Sequence, residues 1–202
     1  MNRDALLPAP GRGAYDRSLS RVERDAQHRE RLLLAASEVL SEGPLTVARI
    51  AARAGVGRST FYEFFDSPDH LLRQLELRVL RALEASLEGA LATARTPLER
   101  VRAIARAWLT ELEARPTEAR VALTPRASAD LLSPAGKVLH AALTRSAAAA
   151  RGVGVGWLSA TDDSSLLAAA AAVEIVTRKH LAGPAVDDAQ RVLTELVAKL
   201  LR

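Results

Sequence analysis

The side chains best suited to binding chemistry lie close together, within residues 46–65, which read TVARIAARAGVGRSTFYEFF. Arg58, Ser59 and Tyr62 occupy positions i, i+1 and i+4 and project from one side of a helix, with Thr60 at its flank. Each of these side chains can donate a hydrogen bond. The face therefore suits a ligand that is rich in acceptor oxygens.

Arginine is concentrated around the same face. Residues 43–62 contain no acid, although Glu42 and Glu63 bound this window. The window contains three arginines, which are Arg49, Arg53 and Arg58. Its local charge of +3 indicates a polyanionic partner more strongly than the whole-chain charge of +4 does.

If the polyanion is a nucleic acid, the chemistry of each side chain suggests what it contacts. Phosphate contacts supply affinity, and contacts with base edges supply the choice of sequence. The single hydroxyls of Thr46, Thr60 and Tyr62 suit phosphate oxygens. Arg58 suits either a guanine edge or a phosphate, and Ser59 either a base edge or another phosphate. On pattern alone, the alternative is an ordinary helical hairpin with a solvated polar face.

Two short helices and a tight turn must position these side chains. Thr46 can cap the first helix, and Gly55 lies at the turn, where a positive φ is needed. The spacing predicts a second helix from about Arg58 to Phe64, so that the pair forms a helix-turn-helix. Its buried sides are predicted to consist of Val47, Ile50, Ala51, Phe61, Phe64 and Phe65.

The composition of the whole chain predicts an all-α fold. Ala and Leu fill about a third of the 202 residues, whereas the aromatic residues that strands favour make up only 3%. Capping and stop signals predict about nine helices. Two are predicted to start at capping boxes, formed by Ser20 with Glu23 and by Thr96 with Glu99. A glycine-rich connection at 152–156 is predicted to precede the last two helices, Asp163 to Ala182 and Val186 to Arg202, the latter with Asp187 and Asp188 in its first turn. We expect a flexible arm at 1–19, a three-helix domain carrying the helix-turn-helix at 20–66, and a larger helical domain at 67–202.

Several classes of function are disfavoured by the sequence. With no Cys the chain has no disulfide framework, and its four His show no metal-ligand spacing. No Ser–His–acid or paired-carboxylate arrangement stands out, so we expect no enzyme, no cofactor and no metal site. The longest apolar run, 166–173, is far shorter than the roughly 20 residues of a membrane helix, and no secretory signal is evident. We expect a cytoplasmic protein without a membrane partner.

The segment that carries these residues resembles the DNA-binding end of the tetracycline-repressor (TetR) family of bacterial transcription regulators. The resemblance covers about 45 residues and runs into the start of the fourth helix. It is carried by Leu33, Ala36, Leu40 and Gly43, then by Thr46-Val47-x-x-Ile50-Ala51-x-x-Ala54-Gly55-Val56 and Gly57-Arg58-Ser59-Thr60-Phe61-Tyr62-x-x-Phe65. The remaining residues resemble the family only in length and helical layout.

The resemblance implies a homodimeric repressor that binds a palindromic operator in double-stranded DNA and is released by a small-molecule effector. It also implies a ligand-binding and dimerisation role for the domain at 67–202. Where the family often has Lys at the start of the fourth helix, this chain has Pro68, and either His70 or the helix-end amides are candidates to replace that Lys. Matching positions imply DNA contacts by Thr46, Arg49, Arg58, Ser59, Thr60 and Tyr62.

The larger domain holds candidate ligand and dimer contacts. Trp108 and Leu112, with His140 as a polar anchor, are the predicted lining of a pocket for a mainly apolar effector. Core packing of Trp108 and a surface or hydrogen-bonded His140 are the alternatives. The last two helices are predicted either to form a four-helix dimer interface or to be core helices of one subunit. The interface residues would be Leu167, Ala170, Ala171, Glu174, Val192 and Leu196.

Other functions fit the same residues. An activator or a broad nucleoid-type DNA binder would share this fold. A helical ligand- or protein-binding module with weak or non-specific DNA binding is favoured by Pro68. The arm, which contains Arg3, Arg12 and Arg17, either enters a minor groove or stays a solvated tail.

Overall fold

The computed structural model describes residues 20–127, 129–153, 157–183 and 188–201. These ranges contain nine α-helices, one short 3-10 helix at Trp157–Ala160 and no strand, which confirms the predicted all-α class. The helices are α1 (Arg21–Glu42), α2 (Val47–Ala54), α3 (Arg58–Phe64), α4 (Pro68–Thr93), α5 (Pro97–Ala114), α6 (Pro116–Ala122), α7 (Pro134–Val153), α8 (Asp163–Ala182) and α9 (Ala189–Leu200).

Side-chain caps fix where several helices begin. At α1, Ser20 Oγ accepts the Glu23 N–H while the Glu23 carboxylate accepts the Ser20 N–H, and Thr96 and Glu99 repeat this reciprocal box at α5. Asp162 caps α8 by accepting the Ser165 N–H at 2.8 Å. These caps confirm the predicted starts, because each cap depends on residues only three positions apart.

The chain divides into two compact units, one reaching Leu72 and the other beginning at Arg73. The predicted domain limits, 20–66 and 67–202, place the boundary at the start of α4 instead. In the first unit, α1, α2 and α3 enclose a small apolar core. Its fully buried members include Leu32, Ala36, Val39, Ile50, Phe61 and Phe65.

The second unit has a larger core, to which α4 to α9 contribute. Trp108 lies in it with no exposed surface. Around it pack Val79, Leu83, Leu87, Ile104, Leu112, Leu139, Leu143, Ala169, Val173, Leu193 and Val197. Among the described helices, none is long and apolar enough to cross a membrane.

The last helix begins later than the sequence predicts. A helix from Val186 to Arg202 was expected, but α9 starts at Ala189 with Asp188 as its N-cap, held at a φ of 54°. The Asp188 carboxylate accepts the Arg191 N–H at 3.2 Å, which satisfies a free donor of the first turn. Three other predictions lie outside the described residues: the arm at 1–19, the glycine-rich connection at 154–156, and Asp187.

The two units differ in the kind of cation they carry. The chain contains three lysines, and none of them lies among residues 1–72, where every basic side chain apart from histidine is arginine. All three lysines belong to the second unit, and they are Lys137, Lys179 and Lys199.

Candidate nucleic-acid interface

The turn between α2 and α3 is built on Gly55. Its φ of 67° and ψ of 35° lie in the left-handed region, which confirms the predicted positive φ. The Gly55 N–H donates to Ala52 O at 3.2 Å, and the Val56 N–H donates to Ala51 O at 3.0 Å, so the last carbonyls of α2 are satisfied. A second cap comes from α1, where the Arg31 guanidinium donates to Ala54 O at 2.6 Å.

One side of α3 is anchored in the core of the first unit. Phe61 and Phe65 are fully buried and their ring centroids lie 5.8 Å apart. Phe64 is half-buried, with its ring centroid 6.1 Å from that of His28 on α1. The guanidinium carbon of Arg29 lies 5.3 Å from the Phe65 ring centroid, a cation–π distance. These contacts fix the rotation of α3 about its own axis.

The opposite side of α3 faces solvent. Arg58 and Ser59 are exposed, Thr60 is half-buried, and 57% of Tyr62 is exposed. The Tyr62 ring makes an edge contact with Phe61 at a centroid distance of 5.4 Å, which orients it without burying it. The structure thus brings Arg58, Ser59 and Tyr62 together on one outward face. Their contact with DNA stays a prediction.

Two further candidates for contact with DNA, Thr46 and Arg49, lie at the start of α2. Thr46 is exposed and caps the helix, since its Oγ1 accepts the Arg49 N–H at 3.3 Å. This bond uses the hydroxyl oxygen as an acceptor and leaves the O–H free to donate to a phosphate. The Arg49 side chain is half-buried and donates to Pro44 O at 2.7 Å.

Two of the three arginines of the basic window are held by acids of α1. Arg53 Nη2 donates to both carboxylate oxygens of Glu42, at 2.8 and 2.7 Å, while its Nη1 donates to Glu38 at 3.0 Å. Arg49 Nη2 reaches Glu42 at 3.4 Å. The Arg53 hydrogen bond holds the pKa of Glu42 below its ordinary value and raises the pKa of Arg53. The expected local charge of +3 is therefore largely compensated. Glu42 lies just outside the window in the sequence, but its carboxylate contacts Arg53 and Arg49 in the structure.

Arg58 differs from Arg49 and Arg53 in this respect. It makes no ion pair with any residue in the ranges that the structure describes. Of the three arginines, it is the one whose guanidinium is left for an external acceptor.

The start of α4 shows how His70 is held. Ser67 Oγ accepts the His70 N–H at 3.1 Å and caps the helix. The His70 Nδ1 accepts the Asp66 N–H at 3.3 Å, and its ring makes an edge contact with Phe65 at 5.7 Å. Nδ1 is thus already occupied within the chain, so only Nε2 can serve a phosphate. That His70 replaces the family's Lys stays a prediction.

The predicted pocket residues lie in different surroundings. Trp108 and Leu112 are fully buried in the second unit, and the Trp108 indole N–H donates to Thr177 Oγ1 at 2.8 Å. His140 is half-buried on α7, with its Nε2 3.3 Å from an Asp163 carboxylate oxygen. The full burial of Trp108 is compatible with core packing, and a pocket lined by Trp108, Leu112 and His140 stays a prediction.

The predicted dimer residues divide into two groups. Leu167, Ala171, Val192 and Leu196 are half-buried and keep some surface for a partner. Ala170 and Glu174 have no exposed surface, because both face the interior of their own unit. This corrects their assignment to the outer face, because a side chain without exposed surface has none to offer a partner.

The Glu174 carboxylate serves a different purpose inside the unit. Its Oε2 accepts the Ser133 N–H at 3.1 Å at the start of α7, and its Oε1 lies 3.0 Å from the Arg178 guanidinium. A Cβ at Gly136 would overlap with the Glu174 carboxylate, so only glycine allows this approach.

Sequence reasoning missed the acids that hold Arg49 and Arg53. A signal for them was present: Glu38 and Glu42 are four residues apart on α1, and Arg49 and Arg53 are four residues apart on α2. Two such stripes on helices in contact match in spacing. Arg31 and Glu174 had no comparable signal, because each acts on a backbone group of a distant segment.

Two short helices joined by a glycine turn, with an apolar inner side and an exposed donor face, define a helix-turn-helix protein of the DNA-binding regulator class. Residues 32–75 match the model of the bacterial regulatory proteins of the tetR family. The helix-turn-helix unit of this chain is thus similar to the DNA-binding region of that family.

Solved structures of similar fold extend over most of the chain. The fatty acid degradation regulator FadR from Bacillus halodurans is 17% identical, with a TM-score of 0.68 over 86% of this chain and 94% of that one. A tetR-family regulatory protein from Rhodococcus RHA1 is 20% identical, with a TM-score of 0.63 over 87% and 95%. PfmR from Thermus thermophilus is 22% identical, with a TM-score of 0.58 over 85% and 97%. No curated protein sequence matches significantly. At these identities the likeness shows the fold alone.

Proposed function

We propose that the protein is a TetR-family regulator, a homodimeric repressor that a small, mainly apolar ligand releases from a palindromic operator. It acts on DNA in the cytoplasm. The observation that carries the proposal is the outward face of α3, where Arg58, Ser59 and Tyr62 are exposed while Phe61 and Phe65 hold the helix from behind. Thr46 and Arg49 at the start of α2, Thr60 at the flank and His70 complete the proposed contact set.

A selection of genomic DNA fragments at several salt concentrations tests this function. A repressor should enrich a defined palindrome, and affinity for it should fall steeply with salt as phosphate contacts are screened. Steep salt dependence without sequence preference would instead support a broad DNA binder. Reporter transcription with the operator upstream then distinguishes repression from activation.

The dimer is proposed to form through α8 and α9. Ile175 on α8 is 60% exposed although it is a large apolar residue, and Leu200 on α9 is also exposed. The half-buried residues beside them give the two helices a joint apolar surface, formed by Leu167, Ala171, Val176, Val192 and Leu196. A two-fold interface of this kind would present two α3 helices to successive major grooves, about 34 Å apart.

The effector is proposed to enter the second unit near Trp108 and Leu112. Because both are fully buried, binding requires the surrounding helices to separate. His140 would serve as the polar anchor through Nε2, which is buried and makes no hydrogen bond within the described residues, although an Asp163 carboxylate oxygen lies 3.3 Å away. A ligand changes the DNA-bound fraction only if it binds the two states with different affinity.

A screen of small molecules tests whether a ligand releases the protein from its operator. Fatty acids belong in the first panel, because one structure of similar fold is a fatty acid degradation regulator. Release of operator DNA by one compound and not by its close analogues would support the proposal. Constant operator affinity across a broad panel would contradict release by a ligand.

A helical module with weak or non-specific DNA binding is the second candidate. It is favoured by the ion pairs that hold Arg49 and Arg53 and by Pro68 at the start of α4. Absence of DNA binding even at low salt would select this candidate over the repressor.

A further inference from the structure

Two carboxylates of α1 pair with guanidinium groups of α2, the helix that precedes the proposed DNA-contact face of α3. Glu42 receives both Nη2 bonds of Arg53 and one contact from Arg49, and Glu38 receives the Nη1 bond of Arg53. The pairs are accessible to water, with 38% of the Arg53 side chain and 47% of the Glu42 side chain exposed. They lie at the surface, where another anion can reach the same donors.

We propose that Glu42, assisted by Glu38, is a specificity-determining residue that competes with DNA phosphates for Arg53 and Arg49. This inference rests on the proposed function. Its effect is to weaken attraction to DNA of any sequence, so that recognition depends more on the outward face of α3.

In non-specific binding, arginine and lysine side chains replace the counterions that are condensed on the DNA phosphates. A guanidinium that already has a carboxylate partner contributes less to this exchange, because the internal bond must be given up first. Two of the three arginines in the basic window are in this state, whereas Arg58 is not. Glu42 stays ionised at neutral pH, since Arg53 keeps its pKa below the ordinary value.

The complex with random DNA and the complex with the operator should respond unequally when Glu42 is replaced by a neutral residue. A protein on random DNA can shift along the duplex until a freed guanidinium meets a phosphate. On the operator, base contacts fix the register, so Arg53 and Arg49 cannot search in this way. Removal of the internal anion should therefore strengthen random binding more than operator binding.

A purely structural role for Glu42 is less well supported. The packing of α1 on α2 is already provided by Val39, Ile50 and Ala51, all buried, and by the bond from Arg31 to Ala54 O. An exposed ion pair adds little to stability. The Glu42→Gln substitution removes the negative charge and keeps the size of an exposed side chain, so the variant should fold.

The test compares full-length wild type, Glu42→Gln and a charge-matched control. Glu88→Gln is the control because Glu88 is exposed on α4 and makes no ion pair within the described ranges. Affinities are measured for a random duplex and for the selected operator over a series of KCl concentrations. Thermal melting followed by circular dichroism verifies that each variant is folded.

For Glu42→Gln we expect random-duplex affinity to rise by about 3- to 10-fold near 0.1 M salt, and the log–log salt slope to steepen by about 0.9 for each phosphate gained. The gain on the operator should be smaller. Most of the gain should be lost in the Glu42→Gln, Arg53→Gln double variant, because Arg53 makes the two shorter bonds to Glu42 and Arg49 only one contact of 3.4 Å.

Three results would overturn the inference: a variant that behaves like Glu88→Gln, equal gains on both duplexes, or a loss of affinity on both. If the wild type binds no duplex at low salt, the proposed DNA-binding function itself is refuted, and with it the inference about Glu42. A wild type that binds its operator while Glu42→Gln changes nothing leaves that function intact and refutes only the role of Glu42.

Discussion

Arg58 differs from Arg49 and Arg53 because its guanidinium forms no ion pair within the described residues. Arg49 and Arg53 donate to acceptors of their own chain, whereas Arg58 has no ion pair to any residue that the structure describes. A guanidinium offers five donors in a planar fork, which matches the two acceptors on a guanine edge or the oxygens of a phosphate. At the scale of single residues, the strongest contribution to DNA affinity is therefore expected from Arg58.

Replacement of Arg58 by Ala should weaken operator binding by about 1–3 kcal/mol, which is roughly a 5- to 150-fold rise in Kd. If the guanidinium touches a base, preference at one operator position should relax, and if it touches a phosphate, binding to all sequences should weaken equally. Fluorescence anisotropy on operator and point-substituted duplexes distinguishes the two.

Arg106→Ala provides the matched control, because Arg106 is an exposed arginine of α5 in the second unit. Both variants should keep the thermal stability of the wild type. Unchanged operator affinity in Arg58→Ala would show that the outward face of α3 does not contact DNA.

At the scale of elements, buried polar bonds complete the apolar contacts between helices. The Trp108 indole on α5 donates to Thr177 Oγ1 on α8, and Thr177 in turn donates to Val173 O in its own helix. All three residues are buried, so neither donor can reach water. The pairing of α5 with α8 thus depends on a hydroxyl as well as on shape.

The Thr177→Val variant should lose stability, because the substitution keeps the side-chain shape but leaves the Trp108 N–H buried without an acceptor. We expect a loss of about 1–3 kcal/mol in the free energy of unfolding. Urea denaturation followed by circular dichroism and Trp fluorescence measures the loss. Thr177→Ser keeps the acceptor and should recover most of it. Equal stability of the Val and Ser variants would refute the importance of this bond.

Helix caps at the element scale predict a dependence of stability on pH. The pKa of Glu99 is lowered because its carboxylate accepts the N–H groups of Arg95 and Thr96, and the pKa of Glu23 is lowered by its bonds with Ser20. Folding therefore favours the ionised carboxylates. The stabilisation is present above about pH 4.5, the ordinary value, and is lost as the pH falls through the lowered pKa values.

The melting temperature of the wild type should accordingly fall as the pH is lowered from about 5 to about 3, a range that brackets the ordinary pKa of these carboxylates, about 4.5. A Glu23→Gln, Glu99→Gln variant should show a shallower fall over the same range, because Gln does not titrate. Circular dichroism melts at each pH measure this difference. A slope identical to that of wild type would mean that other carboxylates govern acid unfolding.

Local features of the elements could be predicted from the sequence, and features that join distant segments could not. The boxes at Ser20 and Thr96 and the turn at Gly55 depend on residues within a few positions, so the sequence pattern identifies them. The bonds from Arg53 to Glu42 and from Trp108 to Thr177 cross between helices. Their partners are set by packing, which a single sequence does not display.

The faces of α8 illustrate the same limit. Its run of five alanines has no polar side, so periodicity does not distinguish inward from outward positions. The structure buries Ala170 completely and leaves Ala171 half-buried, although the two are adjacent and chemically identical. Glu174 is predicted at the dimer interface, but it faces inward, where its carboxylate accepts the Ser133 N–H at the start of α7.

At the scale of the whole molecule, assembly is the property that the proposed function needs most. Ile175→Asp should convert the proposed dimer to a monomer, because it places a charge in the apolar surface of α8 and α9. Light scattering coupled to size exclusion measures the mass.

Leu131→Asp is the control, since Leu131 is 61% exposed but belongs to neither helix, and this variant should keep the mass of the wild type. A wild type of monomer mass, or an Ile175→Asp variant of unchanged mass, would contradict the proposed interface.

The lysine-free composition of residues 1–72 has a practical consequence for such measurements. Amine-reactive dyes and cross-linkers modify lysines and the chain terminus, so apart from that terminus they reach only Lys137, Lys179 and Lys199, all in the second unit. Covalent tagging should therefore spare the guanidinium groups around α3 and preserve DNA affinity. For the same reason, lysine acetylation has no target in the first unit. The positive charge of this unit is carried by arginines, which stay protonated across the physiological pH range.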